Sequence, residues 1–297
     1  MFKLIKIIPI QTHFKVMRKN LLFVSIACLF SLASIITLFV KPFNYGIDFT
    51  GGVLLEIKTS QPADIENLRS KLKSFSPTIQ SQGTTGDIVS IYLPQGNKTE
   101  SEITADLTSV KGILGETVEY RNTQIVGPKV GADLIKNGTL AVILSILVIS
   151  IYIWIRFELP FAVGTGISLF HDILLALAMI CITGIEFDLT TLAALLTLAG
   201  YSINDTVVIY DRIRENIKKY KSKSLSDTID LSINETFSRT ILTGFTTIFA
   251  VLAIYLFGGE VLRGFSAVML FGIIIGTYSS MFISTSTLLL FNKSQIK

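Results

Sequence analysis

Charge is scarce in this chain. Asp, Glu, Lys and Arg make up 16% of its 297 residues, where an average soluble domain carries about 25%. That shortage excludes a soluble globular enzyme and a disordered tail. Cysteine is scarcer: Cys28 and Cys181 are the only two. Both lie in apolar runs, which excludes a disulfide scaffold; they read as small buried side chains rather than a disulfide or metal site. The two histidines, His13 and His171, are too few and too far apart for a zinc motif. Also missing are the G-x-x-x-x-G-K-[ST] loop of nucleotide hydrolysis, a nucleophile elbow and H-E-x-x-H. The residues therefore predict no ATP hydrolysis, no enzyme activity, no cofactor and no metal. The formal net charge of +4 is not a nucleic-acid signal, because the basic residues sit at the edges of apolar runs.

Apolar sequence is what the chain has in excess. Hydrophobic residues are 50% of the total, and the mean hydropathy is +0.60. A helix needs about 20 mostly apolar residues to cross a bilayer core. Six blocks are read as spans, at 21–40, 140–155, 161–183, 189–210, 240–258 and 265–291. The first is too long for a signal-peptide core and shows no convincing cleavage site, so it reads as an uncleaved anchor. The last is long enough to tilt or to begin in the interface.

Basic residues set the orientation. Lys3, Lys6, Lys15, Arg18 and Lys19 precede the first span. Arg212, Arg214, Lys218, Lys219, Lys221, Lys223 and Arg239 separate the fourth from the fifth, and Lys293 and Lys297 follow the last. The short third-to-fourth connection carries Glu186 and Asp188 instead. Both termini are thus expected in the cytoplasm. The expected organisation is a cytoplasmic N-terminus at 1–20, a first span at 21–40, an extracytoplasmic domain at 44–130, a five-helix membrane domain at 134–291 and a cytoplasmic C-terminus at 292–297.

The 44–130 segment reads as a small α+β domain. Val53 to Lys58 predict a strand after Gly51-Gly52, and a helix starts at Asp64 with Ile65, Leu68 and Leu72 on one face. Thr78 to Gln82 and Asp87 to Leu93 read as strands joined near Gly83 and Gly86. Thr99 to Val110 reads as a helix with Ile103, Leu107 and Val110 on one face, and Glu116 to Val126 as a last strand. The order βαββαβ is the ferredoxin-like pattern. It can place both helices on one sheet face and leave the other for a partner. Nothing in this domain looks catalytic.

The chemistry is expected inside the membrane, where ionisable residues mark ion or proton paths. Asp205 falls within the fourth apolar run, with apolar residues after it and Thr197 and Tyr201 on the same helical face. Gly200 beside that stripe is expected to admit a neighbouring helix. Desolvation disfavours an ionised carboxyl there. Asp205 is then either a buried hydrogen-bonding group or a proton or cation relay. Arg239, read at the cytoplasmic start of the fifth span, favours the relay, with Thr243, Thr246 and Thr247 following it as a hydroxyl stripe. The competing reading of Arg239 is a positive-inside anchor. His171 and Asp172 near the middle of the third span are either a structural pair or the lining of a secondary polar path, which would also include Asn204, Tyr201, Thr243 and Thr247. Asp211, Arg212, Arg214 and Glu215 read as interfacial topology and helix-end charges.

These residues resemble a known family. Gly46-Ile47-Asp48-Phe49-Thr50-Gly51-Gly52 is similar to the G-I-D-F-x-G-G signature of the SecD/SecF protein-export family, whose glycines and aspartate here are Gly46, Asp48, Gly51 and Gly52. Phe170-His171-Asp172, the stretch Gly200 to Asn216 and Ser238-Arg239-Thr240 fit the same family. Ser202-Ile203-Asn204-Asp205-Thr206-Val207-Val208 resembles its SecF members; SecD members typically carry D-A-N there. The resemblance covers the whole chain. It implies one half of a pseudo-symmetric twelve-span unit of the resistance-nodulation-division superfamily, completed by SecD as a separate subunit. It further implies association with the SecYEG channel and often YajC, contact with the translocating preprotein and membrane lipids, and a bacterial inner-membrane location with 44–130 in the periplasm. Export would draw on the proton gradient, with Asp205 and Arg239 in the ion pathway. Two other readings are half of a small-molecule or lipid exporter of that superfamily, disfavoured by the single small loop, and a purely structural translocon subunit.

Overall fold

A computed structural model describes residues 12–82, 86–94, 98–115 and 118–291. Lys3, Lys6, Gly83, Glu116, Lys293, Lys297 and the expected tail at 292–297 lie outside the described residues. The chain divides into two compact units, Tyr45–Leu140 and the segments on either side of it.

In the first unit a single helical turn, α2 (Ile47–Thr50), leads into β1 (Gly52–Lys58). Then follow α3 (Ile65–Lys71), β2 (Thr78–Gln82), β3 (Ile88–Pro94), α4 (Glu100–Leu114) and β4 (Glu119–Val126). The sheet order is β2-β3-β1-β4 with every pair antiparallel, which is the ferredoxin-like arrangement. Local sequence explains the helix starts: Asp64 accepts from the Asn67 amide, and Thr99 with Glu102 forms a capping box. One sheet face carries Val53, Leu55, Ile57, Val89, Ile91 and Leu93, packed against Leu72 of the α3 end and Ile103, Leu107 and Val110 of α4. The opposite face presents residues such as Glu56, Ser90, Tyr92 and Asn122.

The second unit holds most of the membrane-crossing sequence. Among the described residues, six helical stretches are long and apolar enough to cross a membrane: Met17–Val40, Gly131–Arg156, Leu159–Thr183, Leu189–Lys219, Leu225–Phe257 and Val261–Leu290. They contain α1 (Asn20–Val40), α5 (Pro128–Arg156), α6 (Leu159–Thr183), α7 (Leu189–Lys219), α8 (Leu225–Phe257), and α9 (Glu260–Tyr278), which continues through a π-helical turn at Ser279–Ile283 into α10 (Ser284–Thr287). Helix α6 is central, in contact with α1, α7, α9 and α10. The N-terminal segment is tied to α8: the Phe14 amide donates to Asn234 Oδ1 and Asn234 Nδ2 donates to the Phe14 carbonyl, each at 2.8 Å.

The basic stretch between the fourth and fifth spans is helical except for the turn at 220–224. Helix α7 has 31 residues and α8 has 33, so each is about 46–50 Å long, well beyond a hydrocarbon core of about 30 Å. Polar pairing holds the projecting turns: Arg212 Nε donates to Glu235 Oε2 at 2.7 Å, and the fully buried Asn216 donates to Glu235 Oε2 at 2.6 Å and to Ser232 Oγ at 3.0 Å. Arg212 is therefore an interhelical tie rather than a helix-end charge. Arg239 lies within α8, about 27 Å before its end at Phe257, which is where a span of about 30 Å ending there begins. Cys28 is exposed on α1, while Cys181 is buried; an apolar run places a residue in the bilayer without saying whether it faces protein or lipid. Among the described residues no atom lies within 4 Å of where a Cβ of Gly200 would stand, so Gly200 is not where two helices of this chain approach most closely. That role belongs to Gly272, where a Cβ would stand 2.5 Å from both Leu198 Cδ atoms, and to Gly276, 3.3 Å from Ser202 Cβ. Their four-residue spacing is a small-residue face that lets α9 approach α7.

Candidate functional site

Helix α7 carries most of the polar chemistry of the bundle, on two faces. Along one run Leu198, Ser202, Thr206 and Ile209, all buried against α6 and α9. About a third of a turn away, toward α8, run Tyr201 and Asp205.

Asp205 is 3% exposed, and its Oδ2 has no hydrogen-bond partner. The Tyr201 hydroxyl is also buried; it packs against α8, beside Thr247 and 3.8 Å from where a Cβ of Gly244 would stand. Arg239 is exposed on α8, the helix packed against α7. Among the described residues no ion pair within 4 Å joins it to Asp205. The hydroxyl stripe after Arg239 is turned onto its own backbone: Thr243 donates to the Arg239 carbonyl at 2.6 Å, Thr246 to Leu242 at 3.0 Å and Thr247 to Thr243 at 2.8 Å. Their protons are spent there, while their oxygens remain able to accept.

His171 and Asp172 diverge to different partners. His171 Nδ1 lies 2.9 Å from Ser31 Oγ on α1. Asp172, with 0% exposure, accepts from Ser202 Oγ at 2.6 Å and Ser279 Oγ at 2.7 Å, both through Oδ2. Asn204 is exposed, away from Asp172 and its serines.

The sequence reading passed over the hydroxyls of the last span. Ser279, Ser280, Ser284, Thr285, Ser286 and Thr287 are all buried. Ser279 reaches Asp172, Ser280 Oγ lies 2.8 Å from Thr206 Oγ1, and the Ser284 carbonyl accepts from the buried Tyr210 hydroxyl at 3.0 Å. The signal was present as a density of Ser and Thr unusual for an apolar span, and the π-helical turn falls on it, a feature that often accompanies functional sites.

The glycine signature sits apart, in the other unit, and its geometry is that of a turn. Gly51 has φ 69° and ψ 162° and Gly52 has φ 128°, conformations open to glycine and strained for other residues. They carry the chain from α2 into β1, and the Tyr92 hydroxyl donates to the Gly51 carbonyl at 2.8 Å. Gly46 caps the turn from its N-terminal side, with Asp48 in its first turn.

A sequence profile of the C-terminal region of the protein export membrane proteins SecD/SecF matches residues 107–294, and one of the SecD/SecF GG motif matches residues 36–63. The protein translocase subunits SecF of Rickettsia conorii and Rickettsia rickettsii are each 42% identical over 294 residues, covering 97% of this chain and 94% of theirs. The crystal structure of SecDF from Thermus thermophilus, a translocon-associated membrane protein, superposes with a TM-score of 0.85 at 30% identity over 96% of this chain. A second SecDF structure, in a super-membrane-facing form, gives 0.69 at 32% identity over 94%. This chain spans 39% of the length of each of those SecDF chains. A profile match over most of the sequence, together with SecF relatives matched along nearly their whole length, shows that the chain belongs to the SecD/SecF family of protein export membrane proteins.

Proposed function

We propose that the chain is an auxiliary subunit of the Sec protein-export machinery, acting with a SecD partner to couple the proton-motive force to late steps of preprotein translocation. Its SecF relatives are translocase subunits, not members of an enzyme class. The SecDF chains, more than twice its length, support a SecD half as its partner. SecYEG is the channel it would serve, with YajC as a further neighbour. The protein would sit in a bacterial inner membrane with both termini in the cytoplasm and residues 44–130 in the periplasm, as the distribution of Lys and Arg favours.

The observation that carries the coupling is Asp205: a buried carboxyl with one unpartnered oxygen, and an arginine on the next helix that does not close an ion pair with it. Burial favours the neutral acid, and approach of a guanidinium favours the carboxylate. A cycle that brings Arg239 toward Asp205 and then withdraws it releases a proton in one state and takes one up in the other. One charge moved through 100 mV is worth about 2.3 kcal/mol, enough to bias such a cycle. Tyr201 and Thr247 border the route, and Thr243 bonds to the backbone of Arg239.

Export into inverted membrane vesicles, with and without an imposed proton gradient, tests this. Asp205→Asn keeps shape and hydrogen bonding but cannot titrate. The variant is expected to assemble with SecD and lose gradient stimulation. Full stimulation in the assembled variant overturns the ion role and leaves Asp205 a structural group.

A further inference from the structure

We propose that Asp172 is a second proton-binding group of the bundle, held as a neutral acid whose proton locks α6 to α7 and to the π-helical turn after α9. This does not rest on the role given to Asp205.

Asp172 is completely enclosed. The groups packed around it are the Ser202 hydroxyl on α7, the Ser279 hydroxyl at the π-helical turn and Gly276 on α9, where a Cβ would stand 3.7 Å from Asp172 Oδ2. The titratable neighbours along these elements are engaged elsewhere or face other helices. His171 turns to Ser31 of α1, Tyr278 donates to the Phe23 carbonyl of α1, and Tyr201 and Asp205 lie on the face of α7 toward α8. Among the described residues no ion pair within 4 Å joins Asp172 to a cation. A buried carboxylate without a cation is among the most unfavourable arrangements a protein can hold.

The hydrogen bonds agree with a neutral group. Both serines meet the same oxygen, Oδ2, while Oδ1 is buried with no protein partner. An ionised carboxyl would leave a charged oxygen bare at Oδ1; a neutral one leaves only a carbonyl. Ser279 supplies the complementary acceptor. Its hydroxyl lies 2.7 Å from Asp172 Oδ2 and 3.1 Å from the Gly276 carbonyl, and one hydroxyl proton serves one of them well. With the acid proton on Oδ2, that proton goes to Ser279 Oγ, the Ser279 proton goes to the Gly276 carbonyl, and Ser202 donates to Oδ2. Every proton in the node then has an acceptor. Loss of the acid proton reverses the Ser279 bond and frees the Gly276 carbonyl, so proton release is tied to repacking where the last helix already departs from α-helical geometry.

Infrared spectroscopy of the full chain in lipid nanodiscs at neutral pH reads this directly, through the carbonyl stretch of protonated carboxyl groups. The expected result is a band in Asp205→Asn, where Asp205 contributes none, that is lost when Asp172→Asn is added to it. An unchanged band in the double variant, or no band in Asp205→Asn, overturns the proposal. Should Asp172→Asn fail to fold, Ser202→Ala and Ser279→Ala each remove a hydrogen bond to the same carboxyl; the band is expected to shift in both, and no shift in either overturns it. A band abolished by added sodium chloride at constant pH also overturns it, in favour of a cation site.

Discussion

Ser202 and Asp205 lie three residues apart on α7, yet they meet different chemistry: Ser202 donates to Asp172 on α6 at 2.6 Å, while Asp205 keeps an oxygen with no partner. One helix thus carries a carboxyl tied by two serines against α6 and α9, with only Asp172 Oδ1 lacking a protein partner among the described residues, and an open carboxyl toward α8. The first node ties α6, α7 and the π-helical turn together. The open one is where an approaching charge changes the state of a carboxyl.

The α7–α9 contact is testable through its glycine. At Gly272 a side chain would collide with Leu198. Gly272→Val is expected to lower the stability of the membrane unit by about 1–3 kcal/mol, the usual penalty of overpacking. Leu198→Ala in the same chain is expected to restore part of the loss. Thermal unfolding in detergent or nanodiscs reads both; a neutral Gly272→Val, or no recovery in the double variant, removes this contact from the account.

Orientation is decided by labelling. With Cys28 and Cys181 replaced by alanine, a cysteine at Ser101, exposed on α4, is expected to react with an impermeant maleimide from the periplasmic side. A cysteine at Ser222, in the short turn between α7 and α8, is expected to react only after the membrane is opened or inverted. The opposite pattern defeats the proposed topology and the export reading with it.

Much of the soluble unit was legible in the sequence, and less of the bundle. In water, an apolar residue is driven to one place, so period-two and period-3.6 patterns around Val53, Leu55 and Ile103, Leu107 reported the real core. In a bilayer, apolar side chains face lipid as readily as protein. Cys28, read as buried, is exposed, and among the described residues no atom comes within 4 Å of a Cβ at Gly200, while Gly272 and Gly276 make the close approach. Charges remained informative because they are costly anywhere in hydrocarbon, and Asp172 and Asp205 are indeed buried. Hydroxyls were not: Ser279 and Ser280 reach α6 and α7, yet leave little mark on a hydropathy profile.

The capping box of α4 has a pH signature. The backbone amide of Thr99, then its hydroxyl, hold the Glu102 carboxyl below the usual carboxylate range. A carboxyl whose folded pKa is depressed stabilises the fold above its unfolded value, and that contribution is lost as pH falls through the folded pKa. Amide exchange at the N-terminus of α4, followed by mass spectrometry on the full chain, is expected to accelerate as the pH falls below the ordinary carboxylate range. Glu102→Gln is expected to remove most of that acid dependence. Identical acid profiles in the two chains would show that the box does not control the helix start.

Arg239 gives the sharpest test of the open node. It is exposed on α8, and among the described residues no ion pair within 4 Å joins it to Asp205. If it acts only as a positive anchor, any cation serves, and Arg239→Lys is silent. If it must swing toward a carboxyl and present a planar fork, the shorter, more strongly hydrated ammonium of lysine does not replace it. The expected outcome is that Arg239→Lys assembles with SecD and supports export without a gradient at the wild-type level. Gradient stimulation, however, is expected to fall about 10-fold or more, since a 1.4 kcal/mol change in the coupling step is already a factor of about ten. Arg239→Gln, with no charge, is expected to lose stimulation altogether. The double variant Asp205→Asn with Arg239→Gln is expected to be no worse than either single change, because both act on one proton-coupled step. Additive losses in the double variant would mean that the two residues act independently, and the paired mechanism would fail.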